Sequence, residues 1–234
     1  MKLRIAIPVN DAYFLDFQSC LYSFKTLIPQ DTILYIFDNG LSDKSKNILK
    51  RFDFIKYEII KQLHLKDDKK AYRFKSKAIS YMVDNILTEE HVFLMCDAKN
   101  QLKYNYLELE KILKEQPLYG GTESGTEGQW SDERAIIEMG FENIEEIKKM
   151  PQIQSNGILV DYSNIVGREF LNNIIKYSKN DKILCPVGSY KGFNPKDPRT
   201  HRQDQSVLSL VIKKMNIKYK SYQYFTFHNT IHRC

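Results

Sequence analysis

Leu3-Arg4-Ile5-Ala6-Ile7-Pro8-Val9 opens the chain as a short apolar run, and Phe14, Phe17, Leu21, Phe24 and Ile28 follow it at helical spacing. A second apolar run, Thr32-Ile33-Leu34-Tyr35-Ile36-Phe37, comes next and stops at Asp38-Asn39-Gly40. Apolar runs bounded by turn residues read as strands, and three-and-four spacing reads as helix, so this stretch is a β-α-β unit. The same alternation continues downstream. Ser42 caps a helix to about residue 52, a third strand spans about residues 55–60, and residues 72–86 have helical spacing after a polar loop at 66–70. Val92-Phe93-Leu94-Met95-Cys96 is a wholly apolar strand ending in Asp97. Beyond it come helices at about 106–114, 143–149 and 166–177 and the strand Ile158-Leu159-Val160. A Gly/Pro/Lys-rich loop at 186–200 leads to an amphipathic helix at about 202–215 and an aromatic strand at 219–227. The Gly-rich segment from Tyr119 to Gly128 reads as a mobile loop suited to an active site. Alternating strands and helices predict an α/β fold with a mostly parallel central sheet and helices on both faces.

The chain has 234 residues, 42% of them hydrophobic, enough for one sizeable core and hence one domain. No apolar run reaches the roughly 20 residues of a membrane-spanning helix, and the N-terminal run is too short for a signal peptide, so a cytoplasmic protein is expected. Cys20, Cys96, Cys185 and Cys234 form no C-x-x-C pair, which argues against a zinc site or a disulfide framework. The net charge of +6 favours anionic partners such as nucleotide phosphates, or peripheral contact with a lipid surface. No nucleic-acid motif accompanies that charge, and nucleic-acid binding is not expected.

Ligands of open parallel sheets bind beyond the carboxyl ends of the strands. Three polar strand ends stand there: Pro8-Val9-Asn10-Asp11, Asp38-Asn39-Gly40 and Asp97-Ala98-Lys99-Asn100. G-x-G-x-x-G and G-x-x-x-x-G-K-[ST] are both missing after the first strand, which excludes the usual dinucleotide-binding and P-loop arrangements.

Ile5-Ala6-Ile7-Pro8-Val9 and Ile36-Phe37-Asp38-Asn39-Gly40-Leu41-Ser42-Asp43 resemble the first two nucleotide-contacting strand ends of the GT-A nucleotide-sugar glycosyltransferases. The strand ending in Asp97-Ala98-Lys99 is similar to that family's apolar strand followed by Asp-x-Asp, with Lys99 in place of the second carboxylate. Ser155-Asn156-Gly157-Ile158-Leu159-Val160 and Asp204-Gln205-Ser206-Val207-Leu208-Ser209 resemble elements of glycogenin-like and galactosyl-transferring members. His201-Arg202-Gln203-Asp204-Gln205-Ser206 is similar to a further glycosyltransferase-like group. Phe227-His228 falls where the family often supplies a histidine to its metal.

The resemblance implies transfer of a sugar from a UDP- or GDP-linked donor to a glycan or other hydroxyl acceptor, with retention of configuration favoured over inversion. Residues 1–100 would form the nucleotide-binding half and 101–234 the sugar and acceptor half. Pro8, Val9, Asn10 and Asp38 are then expected at the nucleoside, Asp97, Lys99 and Lys75 at the diphosphate, and Asn156 and Gly157 beside the donor sugar. Asp204 and Gln205 are the expected catalytic pair, and Trp130, His201 and Arg202 face the acceptor. Mn²⁺ or Mg²⁺ is the implied cofactor, held weakly by Asp97 and His228, with activity that partly survives without metal.

Each residue also has a bland reading. Asp38-Asn39-Gly40 suits a simple turn, Lys75 a solvated helix face, Trp130 half-buried packing, and Asp204 the favourable end of a helix dipole. The Asp-to-Lys departure at Lys99 supports the alternative of a catalytically inactive protein that binds a nucleotide sugar or glycan.

Overall fold

The computed structural model describes residues 1–61, 73–102, 105–119, 123–186, 201–217 and 225–227. The chain runs β1 (Lys2–Val9), a single 3-10 turn (Asp11–Tyr13), α1 (Phe14–Phe24), β2 (Ile33–Asp38), α2 (Asp43–Leu49), β3 (Lys56–Lys61), α3 (Phe74–Asn85), β4 (His91–Cys96), β5 (Asn100–Leu102) and α4 (Tyr106–Glu115). It continues through β6 (Leu118–Tyr119), β7 (Glu123–Thr126), α5 (Glu127–Trp130), α6 (Glu133–Glu138), α7 (Ile144–Lys149), β8 (Pro151–Ile153) and β9 (Gly157–Asp161). Next come α8 (Ile165–Ser178), α9 (Asp181–Leu184), α10 (Asp204–Lys214) and β10 (Phe225–Phe227).

Six strands form the central sheet in the order β3-β2-β1-β4-β9-β6. The first four run parallel, β9 is antiparallel to β4, and β6 is antiparallel to β9. Successive side chains of a strand point to opposite faces, so an apolar run buries both. Leu3, Ile5, Ile7 and Val9 of β1 accordingly join one cluster with Phe17, Leu21 and Phe24 of α1 and Leu109 of α4. Ala6, with Phe93 and Met95 of β4, joins the other cluster, against Ala78 and Met82 of α3, Phe170 of α8 and Val207 of α10. The expected two-faced α/β architecture is what the chain adopts.

Local chemistry fixes the helix starts. Ser42 accepts from the Ser45 N–H at the head of α2, and Asn105 and Glu108 form a reciprocal capping box at α4. Gly40 follows β2 at φ +114, a left-handed conformation that glycine adopts without strain.

The structure departs from the sequence reading in two places. In the Gly-rich segment, residues 123–126 are β7, paired antiparallel with β8, and residues 127–130 are α5. The backbone there closes hydrogen bonds that a simple loop would lack. The last helix is not amphipathic in the surface sense: every residue from Ser206 to Ile212 is buried. It runs between α8, α9 and β8, and its two buried serines are hydrogen-bonded rather than solvated. Of the aromatic strand foreseen at 219–227, only Phe225–Phe227 is described, pairing antiparallel with β5. The loop residues 187–200, His228, His232 and Cys234 lie outside the described residues.

Candidate active site

The carboxyl ends of β1, β2 and β4 lie side by side, with Val9 in register with Asp38. Because β9 runs antiparallel to β4, its first residue, Gly157, pairs with Cys96 and arrives at the same edge. Asn156 thereby abuts Asp97, whose N–H donates to the Asn156 carbonyl at 2.9 Å. Asn100 Nδ2 donates to that same carbonyl.

Lys75, in the first turn of α3, gathers this edge into a site. Its Nζ lies 2.9 Å from Asp97 Oδ1 and 2.8 Å from Asp204 Oδ2, and it also donates to the Ser155 carbonyl at 3.1 Å and Ser155 Oγ at 3.3 Å. Ser155 Oγ in turn contacts Asp204 Oδ2 at 3.2 Å. Lys75 is buried, and both carboxylates are partly buried. Burial alone would disfavour the ammonium, but the charges of Asp204 and Asp97 outweigh it and raise the Lys75 pKa above that of a free lysine. Four acceptors surround an ammonium with three protons, so Lys75 is saturated.

Asp204 is the first residue of α10, and the turn that delivers it is strained. Gln203 precedes it at φ +38, a left-handed value that costs a glutamine energy, and its buried Nε2 meets no partner among the described residues. Gln205 Nε2 donates to Gln152 Oε1 at 2.6 Å. Gln152 went unmarked in the sequence, where a Gln on a three-residue strand carries no spacing signal, and Ser155 entered only as the residue before Asn156-Gly157.

Asp38 stands two strands from Asp97, about 10 Å along the sheet edge. Its Oδ1 accepts from the N–H groups of Gly40 at 2.9 Å and Leu41 at 2.7 Å, and its Oδ2 meets Lys46 Nζ at 2.8 Å. These donors overcome partial burial and hold its pKa below the usual carboxylate value. The turn N–H groups and the α2 lysine together hold the Asp38 carboxylate in place. Pro8 and Val9 are buried in β1, and the Asn10 side chain caps the 3-10 turn. Lys99 is exposed at the β4 end.

The three residues expected at the acceptor pack on one another's neighbourhood instead of lining an open loop. Trp130 is 7% exposed at the end of α5, and the Arg202 guanidinium lies 3.9 Å from its ring centroid. An indole so covered offers no free face for stacking. His201 is 1% exposed, and its Nδ1 accepts from the Asp132 N–H at 3.2 Å. Burial pushes its pKa down to about 4. A histidine so enclosed is placed for packing, and Arg202, half-buried, is the most accessible of the three.

Of the two residues implied as metal ligands only Asp97 is described, and His228 lies outside the described residues. Asp97 Oδ1 is paired with Lys75, an exposed lysine stands at the second-carboxylate position, and no cluster of three His, Cys, Asp or Glu side chains suited to a metal occurs among the described residues.

This sheet order, with an acidic β4 end facing an antiparallel return strand, defines a GT-A-like glycosyltransferase fold. Solved structures of glycosyltransferases share it. The bifunctional glycosyltransferase WbbM matches with a TM-score of 0.59 at 12% identity, over 94% of this chain and 38% of its own. The mannosyltransferase Ktr4p of S. cerevisiae matches at 0.54 and 10% identity, over 97% and 70%. Mouse xyloside xylosyltransferase 1 matches at 0.52 and 12% identity, over 95% and 85%. The chain thus spans well under half the length of WbbM. No family model matches the sequence, and no curated protein matches it.

Proposed function

We propose that the protein transfers a sugar from a nucleoside-diphosphate donor to a hydroxyl of a glycan. One observation carries this reading: a buried lysine clamps two carboxylates, Asp97 and Asp204, from distant parts of the chain at the carboxyl edge of a GT-A-like sheet. Glycosyl transfer develops positive charge at the anomeric carbon and negative charge on the departing diphosphate. Fixed carboxylates answer the first and fixed cations the second. Asp204 and Gln205 serve the sugar, Asn156 and Gly157 line its side, and Lys99, exposed beside Asp97, meets the diphosphate. Lys75, with its protons spent, holds the two carboxylates in place. Asp38 and the β1 end receive the nucleoside, and the Asn156-Gly157 and Asp204-Gln205 elements favour retention.

Asp204→Asn tests the reading. It keeps shape and removes charge, so kcat for donor hydrolysis or transfer should fall roughly 100-fold with donor affinity little changed. Normal turnover in an early-melting Asp204→Asn protein would return Asp204 to a folding role. Binding of UDP- or GDP-sugars without any turnover would favour the inactive binding protein that Lys99 also suits.

A further inference from the structure

Behind Gln205 lies a buried polar chain that has no part in the clamp itself. Glu127, fully buried on α5, meets Lys213 Nζ at 2.7 Å and accepts from Ser209 through Oε1. Its Oε2 accepts from Ser131 Oγ at 2.5 Å. Gln152, also fully buried, turns its Nε2 toward Glu127 Oε2 at 3.3 Å, Ser131 Oγ at 3.1 Å and Ser206 Oγ at 3.3 Å. Ser131 spends its proton on Glu127, and Ser206 spends its own on the Trp130 carbonyl at 2.9 Å.

All three neighbours of Gln152 Nε2 are therefore acceptors. Reversing that amide would set its oxygen against a carboxylate oxygen and two hydroxyls whose protons are committed, leaving a buried acceptor unpaired. The orientation of Gln152 is fixed by Glu127, and its Oε1 must face Gln205. Gln205 can answer only by donating, through Nε2 at 2.6 Å. Its own Oε1 then points away from Gln152, and no donor among the described residues reaches it. Gln205 adjoins Asp204 in the chain and is only half-buried.

We propose that Gln152, locked by the Glu127–Lys213 pair, is a positioning residue that fixes the direction of the Gln205 amide and presents its Oε1 to the sugar site, so that the group of the bound sugar that meets this oxygen is a hydroxyl donor. The hydroxyl donor rests on the glycosyl-transfer reading; the locked amide does not. The polarity passes from a buried ion pair through two amides to the ligand, which is the kind of support that keeps a site group in a single orientation.

The full chain, with glutamine side chains labelled with ¹⁵N, tests the lock directly. The Gln205 resonances are identified by their loss in Gln205→Met. One Gln205 amide proton should exchange with solvent at least 10-fold more slowly than that of an exposed glutamine. The protection should vanish in Gln152→Met, which keeps length but cannot accept. Should that variant fail to fold, Glu127→Gln serves, because a neutral amide at 127 lets Gln152 reverse and should split the Gln205 signals into two sets. Fast exchange in the wild type, or protection that survives both replacements, overturns the lock. UDP-glucose, UDP-N-acetylglucosamine and GDP-mannose are the functional probes. For whichever of them binds, Glu127→Gln should lower kcat at least 10-fold while its dissociation constant stays within twofold. A locked amide whose release leaves kcat unchanged overturns the positioning role. If none of the three binds, the glycosyl-transfer reading fails while the exchange result still decides the lock.

Discussion

A single ammonium sets the electrostatics of the site, and its removal should show what it holds. In Lys75→Met, Asp97 and Asp204 would face each other without a cation, and stripping one member from a partly buried ion cluster costs about 3 kcal/mol. The protein should melt well below the wild type near pH 7. Calorimetry checks this; an unchanged melting temperature would mean that the clamp contributes nothing to stability. Asp97 and Asp204 were legible as candidates because each closes a strand or opens a helix. Their meeting through Lys75 was not, because it depends on β9 running antiparallel and on the placement of α10. The burial of His201 was also hidden, and packing was only one of two readings of Trp130. Neither residue has a periodic pattern, and what covers them comes from segments tens of residues away, such as Asp132 for His201 and Arg202 for Trp130.

At the level of elements, long apolar runs and helical spacings found β1, β2, β4, β9, α1 and α8, whereas β5 to β8 are two to four residues each and leave no period to read. The polar chain through Glu127 and Gln152 belongs to this unreadable middle. Apart from Glu127–Ser131, its partners lie 21 to 86 residues apart, so only tertiary structure reveals them. Gly167 shows how tightly α8 is seated on the sheet. A Cβ there would stand 2.2 Å from the Asp161 carbonyl oxygen and 2.9 Å from Val160 Cγ1. The obstacle is backbone, so α8 would have to move. Gly167→Ala should therefore destabilise the protein by about 2–3 kcal/mol despite alanine's better helix propensity. Denaturant unfolding measures this, and a neutral or stabilising substitution would show that α8 can slide off β9 at little cost.

For the molecule as a whole, the buried histidine gives stability a pH dependence of known sign. His201 has its folded pKa pushed down to about 4, against about 6.5 in an unfolded chain, so between these values the unfolded chain binds the extra proton. Its contribution is complete above pH 6.5 and is lost as pH falls toward 4, at up to about 1.4 kcal/mol per pH unit. His91, also depressed by burial, acts in the same direction, so the informative quantity is the difference between the wild type and His201→Gln. The variant should lose a large part of the slope between pH 6.5 and 4.5; an unchanged slope would place the titration elsewhere. The clamp at the site also has a consequence for covalent reactivity. Acylating reagents attack neutral amines, and Lys75 is both enclosed and held protonated, whereas Lys99 is open to solvent. Brief treatment with acetic anhydride should tag Lys99 and spare Lys75 in the native protein, and tag both once the chain is unfolded. A ligand that drew Asp97 or Asp204 away from the ammonium would announce itself as a new acetyl group on Lys75.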